Sequence, residues 1–264
     1  MRAPSRFPLP HRLDETPHLG EGEGGFQMAE NGRFDGWTVA FDLDGTLVDT
    51  APDLLGALNH VLTDAGLEPV DLPTIATLIG NGARAMMEKG FGVQGVTLPA
   101  AEMDAAFERF IAYYIANIAV DSRPFEGCTE ALDALLDAGA TLCVCTNKRQ
   151  DLSERLIGEL GLTDRFAAIL GADRATNRKP HQDHVFEAVR AAGGTPERAL
   201  FVGDSRTDER AARNAGLPFL FVTFGYEAET PEMIAPDGII GHYAQLFDAL
   251  SVLRDQAIAS LRGR

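Results

Sequence analysis

Between Pro124 and Val222 short apolar runs alternate with amphipathic stretches, and this alternation constrains the fold more than any other feature of the chain. The helical stretches run from Cys128 to Ala138, Leu152 to Leu160, Asp183 to Ala192 and Thr207 to Ala215. The apolar runs are Thr141 to Cys145, a weaker Ala167 to Leu170, Ala199 to Val202 and Phe219 to Val222. Strands that are apolar on both faces need cover on both, and intervening helices supply it. The pattern predicts an α/β fold with a parallel, doubly wound sheet. An earlier run, Trp37 to Phe41, has the same composition and is expected to join that sheet.

Only helices are legible between the first strand and the rest. Thr50, Pro52 and Asp53 read as a helix start, with a capping hydroxyl, a proline in the first turn and an acid facing free N–H groups. Leu54, Leu55, Leu58, Val61 and Leu62 follow at helical spacing. Further on, Met103, Phe107, Phe110, Ile111, Tyr114, Ile115 and Ile118 share one helix face, as packing residues do. Residues 51–123 therefore read as a helical cap inserted into a core of residues 34–50 and 124–264, a division that 264 residues accommodate. Residues 1–33 are rich in Gly, Pro and charge without apolar periodicity and read as a disordered extension, with Met28 as an alternative start.

The formal charge of −16, with no basic stripe to offset it, argues against nucleic acid as a partner. No apolar run is long enough to span a bilayer and no secretory signal is evident, so a cytoplasmic protein without a membrane partner is expected. The three cysteines, Cys128, Cys143 and Cys145, fit neither a disulfide framework nor a zinc site; Cys143 and Cys145 read as buried strand residues.

In an open parallel sheet, ligands bind beyond the carboxyl ends of the strands. Here those ends carry Asp42-Leu43-Asp44-Gly45-Thr46, Thr146-Asn147 and Gly203-Asp204-Ser205-Arg206-Thr207-Asp208, while Lys179-Pro180 opens an intervening helix. Four carboxylates, an amine and a hydroxyl thus gather at one sheet edge. Crowded carboxylates repel, and a divalent cation holds them together. An all-oxygen ligand set points to Mg²⁺. Taken singly, these residues have plainer readings. Asp-Gly after a strand makes a turn, Thr146 caps a helix, Lys179 is solvated, and Gly80-Asn81-Gly82 is a tight turn. His181 and His184 read as a solvated helix face without a role.

Together and in this order, the Asp-x-Asp-Gly-Thr box, the Thr-Asn box, the lysine and the Gly-Asp-Ser-x-x-x-Asp box resemble the four motifs of the haloacid dehalogenase superfamily, over Trp37 to Phe224. FDLDGTLVDTAPDL from Phe41, GNGA at 80–83, CTNK at 145–148 and VTFGY at 222–226 resemble its phosphoglycolate phosphatase branch. One departure is His181-Gln182, where that branch usually has Asp-Pro. The resemblance implies a magnesium-dependent phosphatase acting on a small phosphorylated metabolite, with Asp42 as nucleophile and Asp44 as general acid and base. Mg²⁺ would be held by Asp42, the Asp44 carbonyl oxygen and Asp204, with Asp208 binding a coordinated water or orienting Lys179. Lys179, Thr146 and Asn147 would hold phosphoryl oxygens, and Asn81 and Arg84 in the cap would receive a substrate carboxylate. A phosphomutase would carry a histidine soon after the first motif, where Leu54 stands. Dehalogenases and phosphonatases lack the second aspartate, which Asp44 supplies. A non-catalytic module would be expected to have lost one of Asp42, Asp44, Lys179 or Asp204.

Overall fold

A computed structural model describes residues 32–262 apart from positions 81 and 228. The expected extension up to residue 31, with Met28, and the Asn81 assignment lie outside the described residues. The first strand, β1 (Thr38–Phe41), leads into a two-residue strand β2 (Val48–Asp49), then helices α1 (Ala51–Asp64), α2 (Leu72–Ala76), α3 (Ala83–Val93) and α4 (Ala100–Ala116). A second short strand, β3 (Arg123–Pro124), returns the chain. There follow α5 (Cys128–Asp137), β4 (Thr141–Thr146), α6 (Gln150–Glu159), β5 (Ala168–Gly171), α7 (Gln182–Ala191), β6 (Ala199–Gly203), α8 (Arg206–Ala215) and β7 (Phe219–Val222). The chain closes with α9 (Pro231–Ile234), β8 (Gly238–Ile240) and α10 (Leu246–Arg262).

The sheet is parallel, in the order β5-β4-β1-β6-β7-β8. Central β1 pairs on both sides in one register, with Phe41 opposite Val144 of β4 and Val202 of β6. Successive strand side chains point to opposite faces. Val39, Phe41, Val144 and Val202 accordingly share one buried cluster, while Ala40, Cys143, Cys145 and Phe201 join another under Val185, Ala188, Ala211 and Ala212 of α7 and α8. Full burial of one such Val, Leu or Phe contributes roughly 1.5–3 kcal/mol. The two cysteines are buried strand residues, as expected, and burial pushes the Cys143 thiol up to about 12.

Helices α1 to α4 leave the core and return to it through a ribbon not legible in the sequence, in which β2 and β3 pair antiparallel with Asp49 opposite Arg123. Two expectations for the start of α1 are corrected here. Thr50 does not cap: its backbone is already in the helical region, its side chain makes no capping bond, and its buried Oγ1 has no partner among the described residues. Instead, the backbone N–H groups of Thr50 and Ala51 donate to the Tyr226 hydroxyl at 2.7 and 2.9 Å. Asp53 does not face its own helix either. Its carboxylate accepts from the Asp121 and Ser122 N–H groups and from Ser122 Oγ, at 2.7 Å, and so clamps the segment entering β3 to α1.

Candidate active site

Because β1 lies between β4 and β6, the residues following these three strands are brought side by side. Asp42 is fixed by its N–H bond to Val202 O at 2.9 Å. The loop after it turns tightly enough for Gly45 N to reach Val48 O. Gly45 has φ +83°, and a Cβ there would overlap the Asp204 carboxylate and the Tyr226 ring. Gly225 is held to glycine in the same way, since a Cβ would collide with Asp204. Within this close packing Asp204 accepts from Thr46 Oγ1 at 2.9 Å and from Tyr226 N at 2.8 Å.

Lys179, 3% exposed, reaches across from the loop before α7 and lies over the Phe201 ring. Its Nζ is 2.8 Å from Asp42 Oδ1 and 2.7 Å from Asp208 Oδ1. Asp208 is the third residue of α8, and its other oxygen accepts from Ser205 N and Ser205 Oγ, closing a capping box. The spacing of the fourth motif thus lets one side chain cap a helix and orient the lysine. His184 corrects the sequence reading of a solvated helix face. It is fully buried, its Nδ1 accepts from Lys179 N at 3.1 Å, and Nε2 lies 3.1 Å from Leu170 O. It therefore positions the lysine's backbone, and burial followed by the Lys179 charge lowers its pKa to about 4, so the ring is neutral and Nε2–H donates. His181 caps α7 through Nδ1, which accepts from Asp183 N at 3.2 Å; an Asp at this position would cap equally well, so the departure at 181 leaves the site's carboxylates untouched.

Burial governs the electrostatics. It pushes Asp42 up to about 7 against the pull of Lys179, with Asp208 and Asp44 adding to the rise. Asp204 is likewise raised well above its usual value, by burial and then by Asp208 and Asp42. Lys179 stays charged because Asp208 and Asp42 outweigh its burial. Carboxylate oxygens of Asp42, Asp204 and Asp208 lie within 4.8 Å of one another, and one ammonium does not neutralise three such groups. A hard divalent cation fits this donor set. The Asp44 carboxylate stands outside the trio and pairs instead with Lys148.

Thr146 ends β4 and is buried; α6 begins after Arg149, so Thr146 is not a helix cap. Its Oγ1 accepts from Lys148 N, which leaves the hydroxyl proton to donate into the site. Asn147 Nδ2 donates to Lys179 O at 3.2 Å and reaches Gly80 O at 3.5 Å, linking a core motif to the turn before α3. Sequence reasoning missed Lys148, although it lies within the CTNK run. Its buried Nζ is 2.9 Å from Asp44 Oδ1 and 4.7 Å from the centre of the Tyr114 ring on α4. These residues line a cavity of about 530 Å³ together with Asp42, Gly82, Arg84 and Arg178. Arg84 is half exposed and pairs with Asp104 at 2.7 Å and Glu88 at 3.5 Å. A larger cavity, about 690 Å³, lies at the opposite edge of the sheet among Trp37, Arg198 and Arg254 and holds none of these groups. Among the described residues no helix is long and apolar enough to cross a membrane.

Comparison with known proteins bears on the family and the fold. The family model described as haloacid dehalogenase-like hydrolase matches residues 39–222. The chain is 48% identical to a phosphoglycolate phosphatase of Caulobacter vibrioides over 78% of its own length and 86% of the relative's. It is 47% identical to one of Agrobacterium fabrum, over 80% and 90%. Among solved structures, a protein described as a predicted phosphoglycolate phosphatase from Haemophilus somnus superposes with a TM-score of 0.76 at 31% identity, covering 82% of this chain and 97% of the other. The chain belongs to the haloacid dehalogenase-like hydrolases.

Proposed function

We propose that this chain is a phosphatase that hydrolyses a small phosphate monoester through an aspartyl-phosphate on Asp42, with 2-phosphoglycolate as its substrate. The observation that carries this reading is the placement of Asp42 at the end of the central strand, 2.8 Å from Lys179, with Asp44 lining the same cavity. The substrate is supported by the activity named for the relatives from Caulobacter and Agrobacterium.

Monoester hydrolysis in water is slow enough that enzymes accelerate it up to ~10²¹-fold, which requires charge stabilisation as well as a nucleophile. In the first half-reaction an Asp42 oxygen attacks phosphorus, and the ester oxygen leaves with a proton from Asp44. In the second, Asp44 takes a proton from the water that attacks the aspartyl-phosphate, releasing inorganic phosphate and restoring Asp42. Lys179, the Thr146 hydroxyl and Asn147 hold the phosphoryl oxygens. Asp42, Asp204 and the Asp44 carbonyl oxygen, with Asp208 behind them, would hold Mg²⁺, which would supply neutralisation of the phosphoryl charge. Residues 51–123 act as a cap on the core of 34–50 and 124–264, hinged at the β2–β3 ribbon, and exclude bulk water when closed.

The test is a screen of the purified protein against phosphate monoesters with Mg²⁺. The expected outcome is hydrolysis with the highest kcat/KM for 2-phosphoglycolate; no turnover of any monoester contradicts the reading.

A further inference from the structure

Three features at the cap side of the cavity are not used by the reaction as written. The buried ammonium of Lys148 is assigned to no phosphoryl oxygen, and among the described residues its one counter-charge is Asp44. Tyr114 is 1% exposed and lines the cavity; its hydroxyl lies beside the Lys148 ammonium, which can only donate, and among the described residues no acceptor takes the hydroxyl's own proton. Arg84, the cation expected to meet a substrate carboxylate, is half exposed and already neutralised by Asp104 and Glu88. A buried hydroxyl proton without an acceptor is unfavourable, so its persistence at a cavity wall calls for a ligand atom to complete it.

We infer that Lys148, with the Tyr114 hydroxyl beside it, is the specificity-determining anchor for a carboxylate on the leaving group of the substrate. This rests on the phosphatase reading and deepens it. The argument is one of charge pairing across the reaction. Asp44 has to turn toward the ester oxygen to serve the leaving group, and this takes it from Lys148. A buried ammonium that loses its only partner is strongly disfavoured. In a carboxylated monoester such as 2-phosphoglycolate the carboxylate sits one carbon beyond the ester oxygen, on the side where Asp44 meets it. It replaces Asp44 as the counter-ion of Lys148 and accepts from the Tyr114 hydroxyl. A neutral leaving group of the same length leaves the ammonium without a counter-charge and the hydroxyl proton without an acceptor. Because Lys148 comes from the core and Tyr114 from α4, the same carboxylate also bridges core and cap.

The experiment compares 2-phosphoglycolate with ethyl phosphate, which has the same length without the charge, using wild type, Lys148→Met and Tyr114→Phe with Mg²⁺ present. Wild type is expected to favour 2-phosphoglycolate. Lys148→Met should lower kcat/KM for it on the order of 100-fold more than for ethyl phosphate, the size of a broken buried charge pair. Tyr114→Phe, which keeps the ring and its packing, should produce a smaller selective loss of about 10-fold. Inhibition of wild type by the product glycolate should weaken in both variants, which a merely structural role would not cause. Equal losses on the two substrates in both variants, with glycolate inhibition unchanged, would overturn the inference and leave Lys148 as a support for Asp44. A wild type that hydrolyses both esters without preference also overturns it while sparing the phosphatase reading; a wild type inactive on both removes the two together.

Discussion

Tyr226 and Asp204 are joined through the main chain, the tyrosine N–H lying 2.8 Å from the carboxylate, while the same tyrosine's hydroxyl is 2.7 Å from Asp49 Oδ1 and receives the N–H groups of Thr50 and Ala51. One residue thus connects a proposed metal ligand to the strand and helix start through which the cap leaves the core. Tyr226→Phe keeps the ring but strands the Thr50 N–H and leaves the Ala51 N–H and the Asp49 carboxylate only their long 3.3 Å bond to each other. It should cost about 1–3 kcal/mol, seen as a melting temperature lower by roughly 2–10 °C. An unchanged melting temperature would show that this hydroxyl does not hold the hinge.

His184 gives stability a defined pH dependence. Its folded pKa of about 4 lies below the unfolded value of 6.5, so the unfolded state binds the proton first. The full contribution is present above pH 6.5 and is lost as pH falls from there to 4, by up to about 3 kcal/mol. His184→Gln should be less stable than wild type near pH 7.5 yet lose less on going to pH 5, read from urea midpoints at the two pH values. Parallel losses in both proteins would count against the buried neutral imidazole.

The acidic cluster has the opposite sign. Burial raises Asp42 to about 7, so in the metal-free protein its contribution is complete below about pH 4 and is lost as pH rises through 7, and Asp204, raised well above its usual value, adds in the same direction. A cation binds the ionised carboxylates and reverses that loss. Mg²⁺ should therefore raise the melting temperature more at pH 8 than at pH 5.5. Hydrolysis should stop in chelator, with Ca²⁺ a poor replacement because its looser coordination misplaces Asp42. Thermal shifts that are equal at the two pH values would argue against these aspartates as ligands.

Lys179 apart, the parts of the site that were legible in the sequence are those that immediately follow apolar strands. Asp42, Asp44, Thr146 and Asp204 are placed by the ends of β1, β4 and β6, and Asp208 by one turn of α8. Lys148 and Tyr226 lay inside quoted runs but had no recognisable role. A lysine after a strand is usually solvated, and the partners of Tyr226 are 22 and 177 residues away. His184 was misread although the signal was present, since it shares the inward face of α7 with Val185, Ala188 and Val189. The ribbon escaped notice because each strand has two residues and one is proline, which ordinarily argues against a strand. Strand β8 has three residues with Ile239 exposed, too short and too mixed for its pattern to register.

The central claim is that Asp42 is the atom donor to phosphorus. Wild-type protein mixed with 2-phosphoglycolate and Mg²⁺, quenched in acid within a turnover and digested for mass spectrometry, should carry one acid-stable, hydroxylamine-labile phosphoryl group on the peptide containing Asp42. Asp42→Asn, nearly isosteric and expected to fold, should carry none and should not turn over. A phosphoryl group on another residue, or substantial turnover by Asp42→Asn, would contradict the account.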